Sequence, residues 1–408
     1  MEKKLRDYQV DIANKAVEVL KLNKIVYIAA QVRCGKTLMA LETAKLFGAK
    51  NVLFLTKKKA ISSILNDYEE FGYANHFHIE VANNESMHKL TGKYDLVVHD
   101  ESHRFGSFPK PGIGAKTYKK MFASLPMIFL SGTMSPESYS QIYHQFWVSN
   151  YSPFRKYTNF YKWANDFVKV KKKYLGSHEV NDYSEADRDK VMSVIKDYVL
   201  TFTQEEAGFE SKIDEEILYV DMLPATYGMC NRLKKDLVLE GKNEVILADT
   251  PVKLQQKLHQ MYSGTVKFES GNSMIIDTTK AKFIWSRFAG SKIGIFYKFK
   301  EELNVLKEVF KDNLTTDVEE FDNSRKCIAL QIVSGREGIS LRNAEYLVFY
   351  NIDFSATSYW QARDRMTTMD RKFNKVYWIF ARGGLEQHIY KQVLNKKNFT
   401  LSHFKKII

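Results

Sequence analysis

Two short clusters in this chain hold residue types suited to phosphate chemistry. The segment AAQVRCGKT ends in Gly35-Lys36-Thr37, and Asp100-Glu101-Ser102-His103 follows further on. A lysine placed after a glycine turn can reach the β and γ phosphates of a nucleotide, and the Thr37 hydroxyl beside it can help hold Mg2+. Amides of the loop residues Arg33, Cys34 and Gly35 would complete the cradle, because peptide N–H groups ahead of a helix attract anions. A strict loop of this kind has glycine where this chain carries Ala30. In the second cluster, Asp100 can hold the cation directly or through water, and Glu101 can orient and deprotonate an attacking water. His103 could relay the state of the nucleotide to other parts of the site.

Such clusters work only if strands and helices deliver them to one place. Short β-rich apolar runs at 25–29, 52–55, 96–99 and 127–130 alternate with longer amphipathic stretches, which predicts a parallel α/β sheet. Both clusters then fall at carboxyl ends of strands, where ligands bind in such sheets. The rhythm returns at 293–297, 327–333, 346–350 and 376–380, predicting a second α/β lobe. Residues 151–275 are richer in charge and helical periodicity, as at 188–199 and 252–262. The expected organisation is therefore an α/β lobe over 1–150, a helical insertion or linker over 151–275, and an α/β lobe over 276–408.

The bulk numbers fit that layout. The chain has 408 residues, 44% hydrophobic and 13% aromatic, enough for two cores and against general disorder. Its formal net charge of +13 and pI near 9.2 favour a polyanionic partner. Cys34, Cys230 and Cys327 are far apart, forming neither a disulfide framework nor a paired-cysteine zinc site. Met1-Glu2-Lys3-Lys4-Leu5-Arg6 leads into no apolar signal core, and no apolar run is long enough to span a bilayer. A cytoplasmic protein with no membrane partner is expected; its oligomeric state is left open, a monomer being compatible.

The order of these motifs resembles that of superfamily 2 helicases and translocases, and further segments extend the resemblance. Leu5-Arg6-Asp7-Tyr8-Gln9 is similar to the family's upstream glutamine motif, which implies that Gln9 reads the adenine edge with Arg6 nearby. Thr56 followed by Lys57, Lys58 and Lys59 resembles motif Ia, which touches the nucleic-acid backbone. Ser131-Gly132-Thr133 resembles motif III, which links the ATP site to the track. Residues 293–299 resemble motif IV. Ser334-Gly335-Arg336-Glu337-Gly338-Ile339-Ser340-Leu341 resembles motif V, placing Ser334 in coupling and Gly338 at the nucleotide. Tyr359-Trp360-Gln361-Ala362-Arg363-Asp364-Arg365 resembles motif VI, with Arg365 as its first arginine.

The resemblance implies two RecA-like lobes with ATP and Mg2+ between them, held by Lys36, Thr37 and Asp100 from the first and Arg365 from the second. Asn351-Ile352-Asp353-Phe354 and the run 153–160 look most like the Swi/Snf-type translocases and their small phage-borne relatives, which implies duplex DNA as the track. A second motif VI arginine is expected where Thr368 stands; Arg363 and Arg371 are the substitutes at hand. Two other readings share these motifs: an RNA or single-strand helicase, and a nucleotide-dependent DNA clamp with weak turnover.

Overall fold

The computed structural model describes residues 4–136, 138–175, 178–210, 212–241, 244–332, 339–368, 371 and 373–394. The chain divides into two compact units, Met1–Phe209 and Glu210–Ile408. Among the described residues no helix is long and apolar enough to cross a membrane.

The first unit opens with helix α1 (Asp7–Asn23), then strand β1 (Ile25–Ala30), helix α2 (Lys36–Phe47), strand β2 (Asn51–Thr56), helix α3 (Ile61–Glu70), strand β3 (His78–Asn83), strand β4 (Leu96–Asp100), helix α4 (Ile113–Phe122) and strand β5 (Met127–Leu130). An antiparallel hairpin of β6 (Lys171–Leu175) and β7 (His178–Asp182) precedes β8 (Val199–Phe202). The sheet order is β3-β2-β4-β5-β1-β8, parallel throughout. Strand periodicity divides the apolar residues between its two faces. Val26, Ile28, Val52, Phe54, Leu96 and Val98 pack into one core, while Ile25, Tyr27, Leu53, Leu55 and Val97 pack into the other. Helix α1 covers the first face with Ile12, Ala16 and Leu20, spaced one turn apart.

The second unit repeats the plan. Its strands are β9 (Lys212–Val220), the hairpins β10 (Val238–Glu240) with β11 (Val245–Leu247) and β12 (Thr265–Lys267) with β13 (Ser273–Ile275), then β14 (Ile293–Tyr297), β15 (Leu314–Thr315), β16 (Cys327–Gln331), β17 (Tyr346–Phe349) and β18 (Phe373–Ala381). The main sheet, ordered β15-β16-β14-β17-β18-β9, is also parallel. Each unit is thus an α/β layer structure of the RecA-like kind. Trp378, Phe349 and Tyr359 stack through the second core, the first two with ring centroids 3.9 Å apart. A fully buried Lys280–Glu386 ion pair at 2.8 Å ties two of its helices together.

The expected boundaries differ from this division. Residues 151–275 do contain helices, including Arg188–Ile195 and Pro251–Met261, but they form no third body. Their β8 completes the first sheet beside β1, and their β9 completes the second beside β18. Both are edge strands, with one side toward solvent, so their sequences lack the unbroken apolar run of a central parallel strand. The run Lys-Ile-Asp-Glu-Glu-Ile in β9 shows why periodicity alone passed over it.

Candidate active site

Beyond Ala30 the chain turns through residues 31–35 into α2. Arg33 and Gly35 adopt left-handed backbone, with φ of 66° and 77°. At Gly35 a side chain is excluded as well as strained, since a Cβ would lie 2.2 Å from Gln9 Nε2. The glycine lets Gln9, from α1, close on the phosphate turn; Gln9 Oε1 also accepts the Arg6 amide at 3.0 Å. Arg6 donates to the Tyr8 hydroxyl at 3.2 Å, and the Tyr8 ring stacks on Phe202 at 5.0 Å.

The other side of the loop is held by the end of β8. Gln31 donates its amide to Phe202 O at 2.9 Å, while Gln204 donates its amide to Gln31 Oε1 at 2.8 Å and its side-chain nitrogen to Val32 O at 2.9 Å. Gln204 thus clamps the loop. No motif in the sequence singled it out, because its partner lies 173 residues away in the chain and neither residue carries charge. Lys36 Nζ rests on the carbonyls of Ala30 and Gln31, at 3.0 and 3.3 Å. Cys34 is fully buried and burial pushes its thiol up to about 11, so its contribution to the cradle is its backbone.

Strand β5 lies between β1 and β4. The Ser131-Gly132-Thr133 turn at its end is therefore set between the phosphate loop and the acids, and a Cβ on Gly132 would be 3.7 Å from Lys36 Nζ. Asp100, at the end of β4, accepts the Thr56 hydroxyl at 3.0 Å and the Glu101 amide at 3.0 Å. Burial and the neighbouring Glu101 carboxylate push its carboxyl up to about 6. Glu101 has φ of 55°, a left-handed backbone that costs a non-glycine residue energy. Burial alone would raise its carboxyl, but His103, with Lys36 and Lys57 further off, outweighs that and holds it at about 2. Its Oε2 lies 3.1 Å from His103 Nδ1, yet is buried without an aligned hydrogen bond.

His103 Nδ1 is also 2.9 Å from Ser131 Oγ, which donates to Thr133 O at 2.9 Å. With its only proton spent on that carbonyl, Ser131 must accept, which assigns the proton on this histidine to Nδ1. A continuous path thus runs from Glu101 through His103 to the turn after β5. His99 belongs to the core: burial pushes its imidazole down to about 3, and it packs on Phe105 at 4.2 Å.

Thr56, expected at a nucleic-acid contact, is fully buried and spends its hydroxyl on Asp100. Lys57 follows it at partial exposure. Ser334 and Gly338 lie outside the described residues. In the second unit, Arg371 donates Nε to Phe373 O at 3.2 Å, Nη1 to Arg342 O at 3.2 Å and Ala344 O at 2.6 Å, and Nη2 to Glu345 O at 2.8 Å. A guanidinium with four donors on carbonyls is a brace, so Arg371 does not stand in for a finger arginine. Arg363 is bound to Glu215 at 2.6 Å. Arg365 donates Nη1 to Ile339 O at 3.1 Å and its carbonyl accepts Leu341 N at 2.9 Å, which places it against the end of the motif V segment.

Among the described residues no group of three or more His, Cys, Asp or Glu side chains could cage a metal ion. Mg2+ keeps waters and binds through one or two carboxylates plus phosphate oxygens. Asp100 is the fitting carboxylate, and Thr37, beside Lys36 at the start of α2, the fitting hydroxyl.

Residues 2–89 match the family model described as "Type III restriction enzyme, res subunit", a superfamily 2 helicase domain. Among curated proteins none matches the chain in sequence. The solved "Sulfolobus solfataricus SWI2/SNF2 ATPase core in complex with dsDNA" is similar at 16% identity and a TM-score of 0.39, covering 100% of this chain and 93% of that one.

Proposed function

We propose that this superfamily 2 helicase-type chain is a DNA-dependent ATPase that moves along duplex DNA. The observation that carries the ATPase is the buried Glu101 Oε2, unmatched by an aligned donor, beside Asp100 and within the group that includes the Lys36 loop. An ionised carboxylate so placed can accept a proton from water. Lys36 and the amides of residues 33–35 hold the β and γ phosphates, Gln9 meets the base, and Thr37 with Asp100 would hold Mg2+, which neutralises phosphate charge when bound. Glu101 orients the water and takes its proton as the oxygen bonds to the γ phosphorus, the bond to the bridging oxygen breaks, and ADP leaves with that electron pair. By the resemblance of its segment to motif VI, Arg365 is the arginine assigned to the charge on the transferring group.

His103 and Ser131 carry the state of that site to the turn after β5, which makes turnover sensitive to what the unit grips. Support for DNA as the track comes from the net charge of +13 and the motif order. Contacts to the backbone would make binding independent of sequence. The test is ATP turnover titrated with duplex DNA, single-stranded DNA and RNA, at fixed salt. Strongest stimulation by duplex DNA is expected; a rate indifferent to all three removes the motor reading.

One observation favours a second reading. With Arg371 committed to carbonyls and Arg363 to Glu215, neither substitute is at hand for the second arginine that the motif VI resemblance implies, as in a nucleotide-dependent clamp. Equal, negligible turnover of the natural chain and Glu101→Gln at saturating DNA would select it.

A further inference from the structure

The chain leaves the first unit through residues 203–209, a short strap that follows β8 and ends where that unit ends, at Phe209. The strap is folded on itself. Thr203 Oγ1 accepts the Glu206 amide at 3.1 Å and donates to Glu206 Oε2 at 2.8 Å. The amides of Ala207 and Phe209 donate to the carbonyls of Thr203 and Gln204 at 3.2 and 2.9 Å. Ala207 is buried in the same core as Ile12, Ala16 and Leu20 of α1, and Phe209 packs against it. Gln204 joins this strap to the phosphate loop, its Nε2 donating to Val32 O at 2.9 Å and its amide to Gln31 Oε1 at 2.8 Å. The bond to Val32 fixes a peptide plane. In a trans peptide, as Val32–Arg33 is, the C=O and N–H point opposite ways, so a Val32 carbonyl held on Gln204 turns the Arg33 amide to the other side of the loop. Arg33 sits at φ of 66°, a left-handed backbone that a non-glycine residue leaves unless its surroundings hold it. Turning the peptide over would release that strain, and the Gln204 side chain opposes the turn. Gly132, in the turn after β5, also approaches Val32: a Cβ there would lie 3.5 Å from Val32 Cγ1.

We propose that Gln204 is a positioning residue for the phosphate loop and that it ties the strap to that loop, so that nucleotide binding changes the strap at the exit from the first unit. The Lys36 ammonium rests on the Ala30 and Gln31 carbonyls, and a nucleotide phosphate competes for it and for the loop amides. Gln31 and Val32 then carry the shift to Gln204, whose two bonds hold differently in the two positions of the loop. This role rests on the reading of Lys36 and its loop as a nucleotide site, and needs neither DNA nor hydrolysis.

The experiment uses the full chain and ADP. Fluorescence titration gives the affinity, and hydrogen exchange at the amides of residues 205–209 reports the strap. In Gln204→Ala, ADP binding is expected to weaken roughly 3- to 10-fold, the worth of one hydrogen bond, with the KM for ATP rising by more than kcat falls. Adding Arg33→Gly to that variant restores most of the loss, because glycine adopts the left-handed backbone freely. A side chain that merely stabilised the unit would instead give a lower Tm and a loss of binding that the glycine does not rescue. ADP slows exchange in the strap of the natural chain, and at saturating ADP the slowing disappears when Gln31→Ala is combined with Gln204→Ala. Unchanged ADP affinity in Gln204→Ala, a loss that Arg33→Gly leaves untouched, or a strap whose exchange ADP alters equally in the natural chain and the double variant, or in neither, overturns the proposal. A natural chain that binds no ADP removes the nucleotide reading and this role with it, whereas ATPase activity indifferent to DNA removes the motor reading alone.

Discussion

The two units present the carboxyl ends of like sheets in opposite states. In the first, the buried Glu101 Oε2 lacks an aligned donor, and the Lys36 ammonium rests on loop carbonyls. In the second, Lys298 pairs with Asp353 at 2.9 Å, and Asp353 also takes the Ser358 hydroxyl at 2.7 Å. Glu302 there accepts the amides of Lys298 and Phe299 at 2.7 and 2.9 Å and the side-chain nitrogen of Asn351 at 2.5 Å. His259 completes that network on Asn351 at 2.6 Å. One edge keeps a carboxylate acceptor for an incoming group, and the other spends its carboxylates internally, although His259 Nδ1 in that network is buried without a partner. A satisfied buried network is rigid, whereas an unsatisfied one is reactive toward whatever supplies its partners.

The contrast breaks most sharply at the arginines. Arg365→Ala should lower DNA-stimulated turnover by roughly three to five orders of magnitude, as removal of charge at the transferring phosphoryl group does; a loss under tenfold in steady-state kinetics would take Arg365 out of that role. Next comes Glu101→Gln, for which a fall of about 10²- to 10⁴-fold in the rate, with nucleotide binding retained by fluorescence titration, is expected of a lost base. If binding falls and the rate of the bound form does not, Glu101 belongs to the cradle and not to the chemistry.

Smaller effects sharpen the comparison. Arg371→Ala, on the satisfied side, should cost roughly 1–3 kcal/mol through stranded carbonyls, seen as a lower Tm, while turnover per folded molecule stays near its original value. Thr56→Val should raise the Mg2+ concentration needed for half-maximal rate by about tenfold, the worth of one hydrogen bond to a charged group. Finally, turnover should fall as pH drops below about 6, because Asp100 must be ionised to hold the cation. Excess Mg2+ should move that limb to lower pH by competing with the proton. The stability sign is opposite: a carboxyl whose folded value lies above its ordinary 3.8 makes folding less favourable as pH rises from about 4 to about 6.

Much of the first unit was legible because its central strands are buried on both faces and read as unbroken apolar runs, and because its phosphate loop is a local motif. The edge strands β3, β8 and β9 were not, since half-exposed strands admit charge. Thr56 shows the limit at the level of one side chain. Its place after an apolar strand and before three lysines suggested a surface contact, but its hydroxyl turns inward to Asp100. Arg371 shows the same for charge, since spacing made it a candidate finger and only the carbonyls of Arg342, Ala344, Glu345 and Phe373 reveal it as a brace.

By itself the sequence determined two parallel α/β units, a phosphate loop at Lys36 and an acid pair at Asp100 and Glu101, because each depends on short-range pattern: strand period, glycine before helix, acids at a strand end. Only the tertiary structure decided that Gln204 clamps the loop, that Gln9 closes on Gly35, and that His103 bridges Glu101 to Ser131. Those contacts join residues far apart in the chain, and hydrogen-bond geometry between distant groups leaves no trace in local spacing.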